Sequence, residues 1–148
     1  SLAILGSLVE ILLSLSGALG QGALDAATRE RIALAVANVN GCDYCNSAHT
    51  YLAKNVAKLS DDEIEKNREG RSNDVKADVA VALSRKIAFS RGEVSDGDVA
   101  RAKGAGITDA ELVEIVAHVA LNTFTNYLNE VFKTPVDFPA VAAAKRAA

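Results

Sequence analysis

Apolar positions recur at spacings of three and four along nearly the whole chain, and the strict alternation of a half-buried strand is almost absent. The pattern predicts a first helix from Ser1 to about Leu19, closed by Gly20 and Gly22. Asp25 or Thr28 opens a second, which runs through Ile32, Leu34, Val36 and Val39 and stops at Asn40–Gly41, a pair suited to the left-handed turn that ends a helix. A third starts at once near Cys42 and is expected to reach about Leu59. Ser60 with Glu63 has the spacing of a capping box and starts a short helix, Asp61 to Arg68. After a polar break at Gly70 to Asn73, Asn73 or Asp74 opens a long helix with an apolar stripe of Val75, Val79, Ala82, Leu83 and Ile87, ending near Gly92. Ser95 with Asp98 opens another short helix, stopped by Gly104 and Gly106. Thr108 with Glu111 is a further capping-box pair and leads a helix through Leu112, Ile115, Val116 and Val119 to about Phe132. Pro135 and Pro139 mark an extended stretch, with a short helix expected over Ala140 to Ala148. With no low-complexity linker or repeat, the expectation is one all-α domain over residues 1–148, of about six to seven helices.

Composition narrows this. Apolar residues make up 49% of the chain, aromatic residues only 5%, and tryptophan is absent, so the core must be Ala, Leu, Val and Ile, a mixture that suits closely packed helices. The net charge of -3 is spread over interspersed acids and bases, and without a basic stripe no nucleic-acid partner is expected. The apolar run Leu2 to Leu13 carries Gly6 and Glu10, has no basic leader and is too short to span a bilayer, so neither a membrane partner nor export is expected and the location is read as cytoplasmic. The acidic stretch Asp61 to Glu65 reads as a solvated helix face.

Candidate chemistry lies at Gly41-Cys42-Asp43-Tyr44-Cys45-Asn46-Ser47-Ala48-His49. The chain's two cysteines are three apart and cannot staple distant parts of a fold, which leaves redox or metal chemistry. On a helix, Cys42, Cys45 and His49 fall within roughly 60° of one another. Cys42 sits in the first turn, where free N–H groups favour a thiolate. His49, one turn beyond Cys45, is placed to take its proton. Either sulfur therefore has a case as nucleophile, and the other would trap its sulfenic acid as a disulfide. Glu30 lies on the preceding helix in a stripe with Ala33, Leu34 and Ala37. Only the sector with Arg31, Ala35 and Asn38 looks suited to water there, so Glu30 is expected to be partly buried and to need a partner. A carboxylate behind His49 would fix its tautomer and relay protons.

Glu30, eleven intervening residues, Cys42-x-x-Cys45, three more and then His49 resembles the signature of the AhpD-like alkylhydroperoxidases of the carboxymuconolactone decarboxylase superfamily. The approach Ala35-Val36-Ala37-Asn38-Val39-Asn40-Gly41 is similar as well, and Thr125-Asn126-Tyr127-Leu128-Asn129 with Val136-Asp137-Phe138-Pro139 resembles the tail of a peroxidase-related branch. The resemblance covers about Thr28 to Pro139, within a motif-bearing core of about 25–139. It implies an all-α fold, trimeric or hexameric assembly, and reduction of organic hydroperoxides or hydrogen peroxide with re-reduction by a protein or small dithiol. No cofactor and no metal are expected. Cys45 would be the thiol deprotonated through His49, Cys42 its disulfide partner, and Glu30 part of the relay. Two positions depart from the pattern: Tyr44 stands where a relay histidine is frequent, and Glu130 where a histidine often follows the second asparagine. Tyr44 is thus an accessory candidate that donates a hydrogen bond but does not titrate near neutrality.

Other readings stay open. The cysteines can be inert buried thiols, or three ligands of a zinc site with His49; a structural zinc needs a fourth ligand, and His118 is far along the chain on an apolar face that reads as core. A lactone decarboxylase or a non-enzymatic redox sensor is the functional alternative. Tyr44 and Tyr51 are packing or substrate residues, and Asn122, Asn126 and Asn129 are expected to cap or to contact another subunit.

Overall fold

The computed structural model describes residues 2–144, and within them the chain forms helices without strands. They are α1 (Leu2–Gly20), α2 (Ala26–Asn40), α3 (Asp43–Asn55), α4 (Asp61–Arg68), α5 (Val75–Phe89), α6 (Asp96–Gly104) and α7 (Asp109–Phe132). Six of these starts are fixed by side chains that accept an otherwise orphaned backbone N–H: Asp25, Cys42, Ser60, Asp74, Ser95 and Thr108. The reciprocal capping box closes at Ser95–Asp98 and Thr108–Glu111. At Ser60 only half of it forms, because the Glu63 carboxylate is drawn away to Arg31, Asn67, Ser72 and the Asn73 amide.

Helix α2 is the axis of the molecule, packed against α3, α4, α5 and α7. Ile32, Leu34, Ala35, Val36 and Ala37 are all fully buried, and the small Ala33, Ala35 and Ala37 allow neighbours to approach closely. The main core joins Ile32 and Val36 to Ala80, Leu83 and Ile87 of α5 and Ile115 and Val119 of α7. A second cluster joins Leu34 to Ala53 and Ile64. Helix α1 lies along α7 and leaves much of its apolar surface uncovered: Ile11 is 64% and Leu13 69% exposed. No helix among the described residues is long and apolar enough to cross a membrane.

Five expectations are corrected. The supposed wet sector of α2 is covered: Ala35 is buried, Arg31 pairs with Glu63 at 2.7 Å, and Asn38 donates to the Arg68 carbonyl. Glu63, expected on a solvated face, is buried. Helix α3 ends at Asn55 rather than near Leu59, because Lys58 turns left-handed (φ 59°) and the Leu59 N–H returns to the Ala53 carbonyl. Val75, placed in the α5 stripe by periodicity, is 82% exposed at the first turn, and Ala77, Ala80 and Val81 face the core instead. Residues 140–144 are extended, not helical; the remainder of the helix expected there, and Ser1, lie outside the described residues.

Candidate functional site

Cys42 belongs to two helix ends at once. Gly41 takes the left-handed conformation (φ 71°) that closes α2, and the Cys42 N–H returns to the Ala37 carbonyl at 3.1 Å. Cys42 is then the N-cap of α3, with its Sγ accepting the Cys45 N–H at 3.2 Å. Its carbonyl accepts from the Asn46 amide at 2.9 Å, which locks the first turn. The two sulfurs are joined as a Cys42–Cys45 disulfide. Cys42 is 0% and Cys45 4% exposed, so both are shielded from bulk water.

Because α3 folds back beside α2, Glu30 near the start of one helix meets His49 in the middle of the other. His49 Nδ1 lies 2.9 Å from Glu30 Oε2, with both side chains about a quarter exposed. A carboxylate on Nδ1 selects the tautomer that donates there and leaves Nε2 as the basic nitrogen.

His49 and Cys45 open on one cavity of about 320 Å³ between α1, α3 and α7. Its walls are largely apolar, with Leu12 and Leu13 from α1, Ala48 from α3 and Leu121 from α7. Its polar lining is Ser16 from α1, Asn122, Thr125 and Asn129 from α7, and Tyr44 and His49 beside Cys45 on α3. Cys42 does not line the cavity. The structure thus brings together all four residues singled out by the motif and distinguishes the two sulfurs: Cys45 faces the space a substrate would fill, and Cys42 stands behind it at the helix cap.

Sequence reasoning missed the part played by α7. Asn129 donates its amide to Cys45 Sγ at 3.4 Å, and Asn126, fully buried, accepts from Asn40 at 2.9 Å just before the Gly41 turn. The available signal was the spacing of Asn122, Asn126 and Asn129 on one helical face amid apolar neighbours. Neither caps a helix through its side chain. His118 is a buried core residue, as expected; burial, and then Arg29, hold its imidazole below the usual range against the pull of Glu114 and Glu30. Among the described residues, no three His, Cys, Asp or Glu side chains converge as a metal cage, so His118 does not complete a zinc site with the motif.

The segment after α7 straps the outer side of α3. Val141 N–H donates to Ser47 Oγ, Ala143 N–H to Asp43 Oδ1 and Ala144 N–H to Asn38 Oδ1, each at 2.8 Å, and Arg68 donates to the Ala142 carbonyl. Phe138 sits between the rings of Tyr44 and Tyr51, with centroids 5.8 and 5.7 Å away. Burial, with the Asp137 carboxylate beside it, pushes the Tyr44 phenol up, so Tyr44 stays a proton-bearing donor at the cavity edge. Glu130 lies away from this cavity, in an open cleft with Arg91 and Tyr127.

A model of the carboxymuconolactone decarboxylase family matches residues 8–88, a span that contains Glu30, both cysteines and His49 but not α7. No curated protein is detectably similar in sequence. Among solved structures, a peroxidase-related protein from Silicibacter sp. TM1040 superposes with a TM-score of 0.75 at 19% identity, over 90% of this chain and 70% of its own. The debrominase Bmp8 superposes with a TM-score of 0.78 at 16% identity, over 91% and 74% of the two chains. A cysteine-to-alanine variant of that debrominase, in complex with 2,3,4-tribromopyrrole, gives 0.77 at 15% identity, over 89% and 72%. At these identities the likeness is one of fold.

Proposed function

This chain belongs to the carboxymuconolactone decarboxylase family, and from that premise we propose that it is a thiol peroxidase that reduces hydroperoxides through Cys45 and Cys42. The observation that carries this reading is the division between the sulfurs: Cys45 lines the cavity with His49, and Cys42 is bonded to it from the buried cap behind.

In the reduced protein His49 Nε2 takes the Cys45 proton, and Glu30 on Nδ1 balances the imidazolium. The thiolate attacks one peroxide oxygen. The O–O bond breaks, Cys45 becomes a sulfenic acid, and the departing alkoxide takes the proton from His49. Cys42, favoured as a thiolate by the Cys45 N–H and the helix start, attacks the sulfenic sulfur and forms the disulfide, and the proton that Cys42 gave up is returned to the departing hydroxide, which leaves as water. A dithiol, small or borne by a protein, returns both sulfurs to thiols by exchange and is itself oxidised to its disulfide. A cytoplasmic setting, where such reductants abound, suits the cycle. The uncovered apolar face of α1 supports assembly as a homo-oligomer, a trimer or hexamer.

Peroxide consumption with dithiol in excess tests the proposal, using the wild type, Cys42→Ser and Cys45→Ser. Both variants are expected to lose turnover, with a trappable sulfenic acid on Cys42→Ser alone. Undiminished turnover in both would end the reading. A second reading comes from the debrominase likeness combined with the apolar cavity walls. The same dithiol would then remove bromine from a small ring, and bromide release from 2,3,4-tribromopyrrole, dependent on both cysteines, distinguishes it. Lactone turnover that survives alkylation of both cysteines would instead favour decarboxylation.

A further inference from the structure

Each sulfur of the pair has its own N–H donor, and the two come from different places. The backbone N–H of Cys45 serves Cys42, since Cys42 is the cap of α3. Cys45 is the third residue of the same first turn, and its own N–H is already given to Cys42 Sγ. Its donor comes across the cavity, from the Asn129 amide at 3.4 Å.

The other polar side chains that α7 sends to this cavity donate to main-chain carbonyls rather than to sulfur. Asn122 spends its amide on the His118 carbonyl at 2.8 Å, and the Thr125 hydroxyl turns to the Leu121 and Asn122 carbonyls. Asn129 alone is aimed at sulfur. Its backbone carbonyl accepts the N–H of Lys133, which ends α7 in a left-handed turn, and that of Thr134 at 3.1 Å, so the last turn from which the amide reaches sulfur is anchored. A donor fixed before the reaction costs no reorganisation when charge appears on the atom it faces.

We propose that Asn129 is a catalytic residue whose amide N–H stabilises the Cys45 thiolate, both as the nucleophile that attacks and as the thiolate regenerated when the disulfide is reduced. The proposal deepens the peroxidase reading and rests on it for the reaction, but the thiolate itself is measured without any peroxide. In a Cys42→Ser background, with one thiol left, the pH dependence of iodoacetamide alkylation reports the Cys45 pKa. Asn129→Ala is expected to raise it by about one unit, so that alkylation near neutral pH slows about tenfold. The plateau reached at high pH, where the thiol is fully ionised, is expected to be unchanged. Asn129→Asp, close to isosteric but carrying a negative charge, is expected to slow it further. A merely structural role would lower the plateau or the folded fraction seen by circular dichroism, without moving the pKa. An unmoved pKa in both folded variants would overturn the proposal. A moved pKa supports it even where the wild type fails to consume peroxide, the result that would sink the peroxidase reading alone. Should Asn129→Ala not fold, the nearly isosteric Asn129→Asp, and Asn129→Leu with the same branching at Cγ, decide the matter by the same pKa.

Discussion

A single carboxylate separates structure from chemistry at two places. Glu30 and Glu63 are both glutamates at α2 or against it, yet their partners differ in kind. Glu63 is buried, which alone would push its carboxyl up. Hydrogen bonds from Ser72, Asn67, the Asn73 amide and Arg31 outweigh that and hold it at about 2. Its folded value lies below the ordinary 4.5, so the stabilisation is complete above that pH and is lost as pH falls toward about 2. Urea melts are expected to weaken across that window, and Glu63→Gln is expected to flatten the dependence. Glu63→Ala leaves the mostly buried Arg31 unpaired and is expected to cost about 3 kcal/mol. Glu30, by contrast, faces His49 at the cavity. Glu30→Gln keeps the shape but removes the charge that balances the imidazolium, so we expect peroxide reduction to fall about tenfold or more with little change in melting.

At the level of elements, helix starts could be read closely because their causes are local. Asp25, Ser60, Ser95 and Thr108 act on N–H groups three residues on, and a sequence displays that spacing directly. What lay hidden depends on partners distant in the chain. Arg31 and Asn38 look like water-facing residues until Glu63 and Arg68, some thirty positions away, are brought against them. The same holds for Asn129 with Cys45 and for the strap of 140–144 on Asp43 and Ser47, each bridging most of the chain. The Cys-x-x-Cys-x-x-x-His cluster was readable since it lies on one helix, whereas the asparagine spacing on α7 showed a polar stripe without showing that it faces the sulfurs. The Gly41 turn joins these scales, because it ends α2 and sets Cys42 as the cap of α3. Gly41→Ala forces a side chain into a left-handed backbone, and a loss of about 1–2 kcal/mol is expected in denaturant melts. The Cys45 N–H to Cys42 Sγ contact is expected to suffer with it, seen as slower disulfide closure after peroxide.

For the whole molecule, the cavity is a property of three helices that are far apart in sequence, α1, α3 and α7. The sulfurs stand at the start of α3, and α1 contributes Leu12 and Leu13 to the apolar wall while most of its described residues are exposed. Leu13 shows the consequence: it lines the cavity and remains 69% exposed, so the wall that shapes the substrate space has little behind it in one chain. A helix bearing Val9, Ile11 and Leu13 on open surface gains most by burial against another copy, at roughly 25 cal/mol per Å² of apolar area covered. The assembly proposed above would therefore brace α1 and the cavity together. Ile11 does not line the cavity, so Ile11→Glu tests this coupling without touching the site. Sedimentation is expected to shift from oligomer toward monomer, and KM for a bulky organic hydroperoxide to rise more than that for hydrogen peroxide. The small peroxide needs only the polar groups near Cys45, whereas the bulky one needs the α1 wall. An oligomer lost with no change in either KM would show that one chain holds the wall unaided.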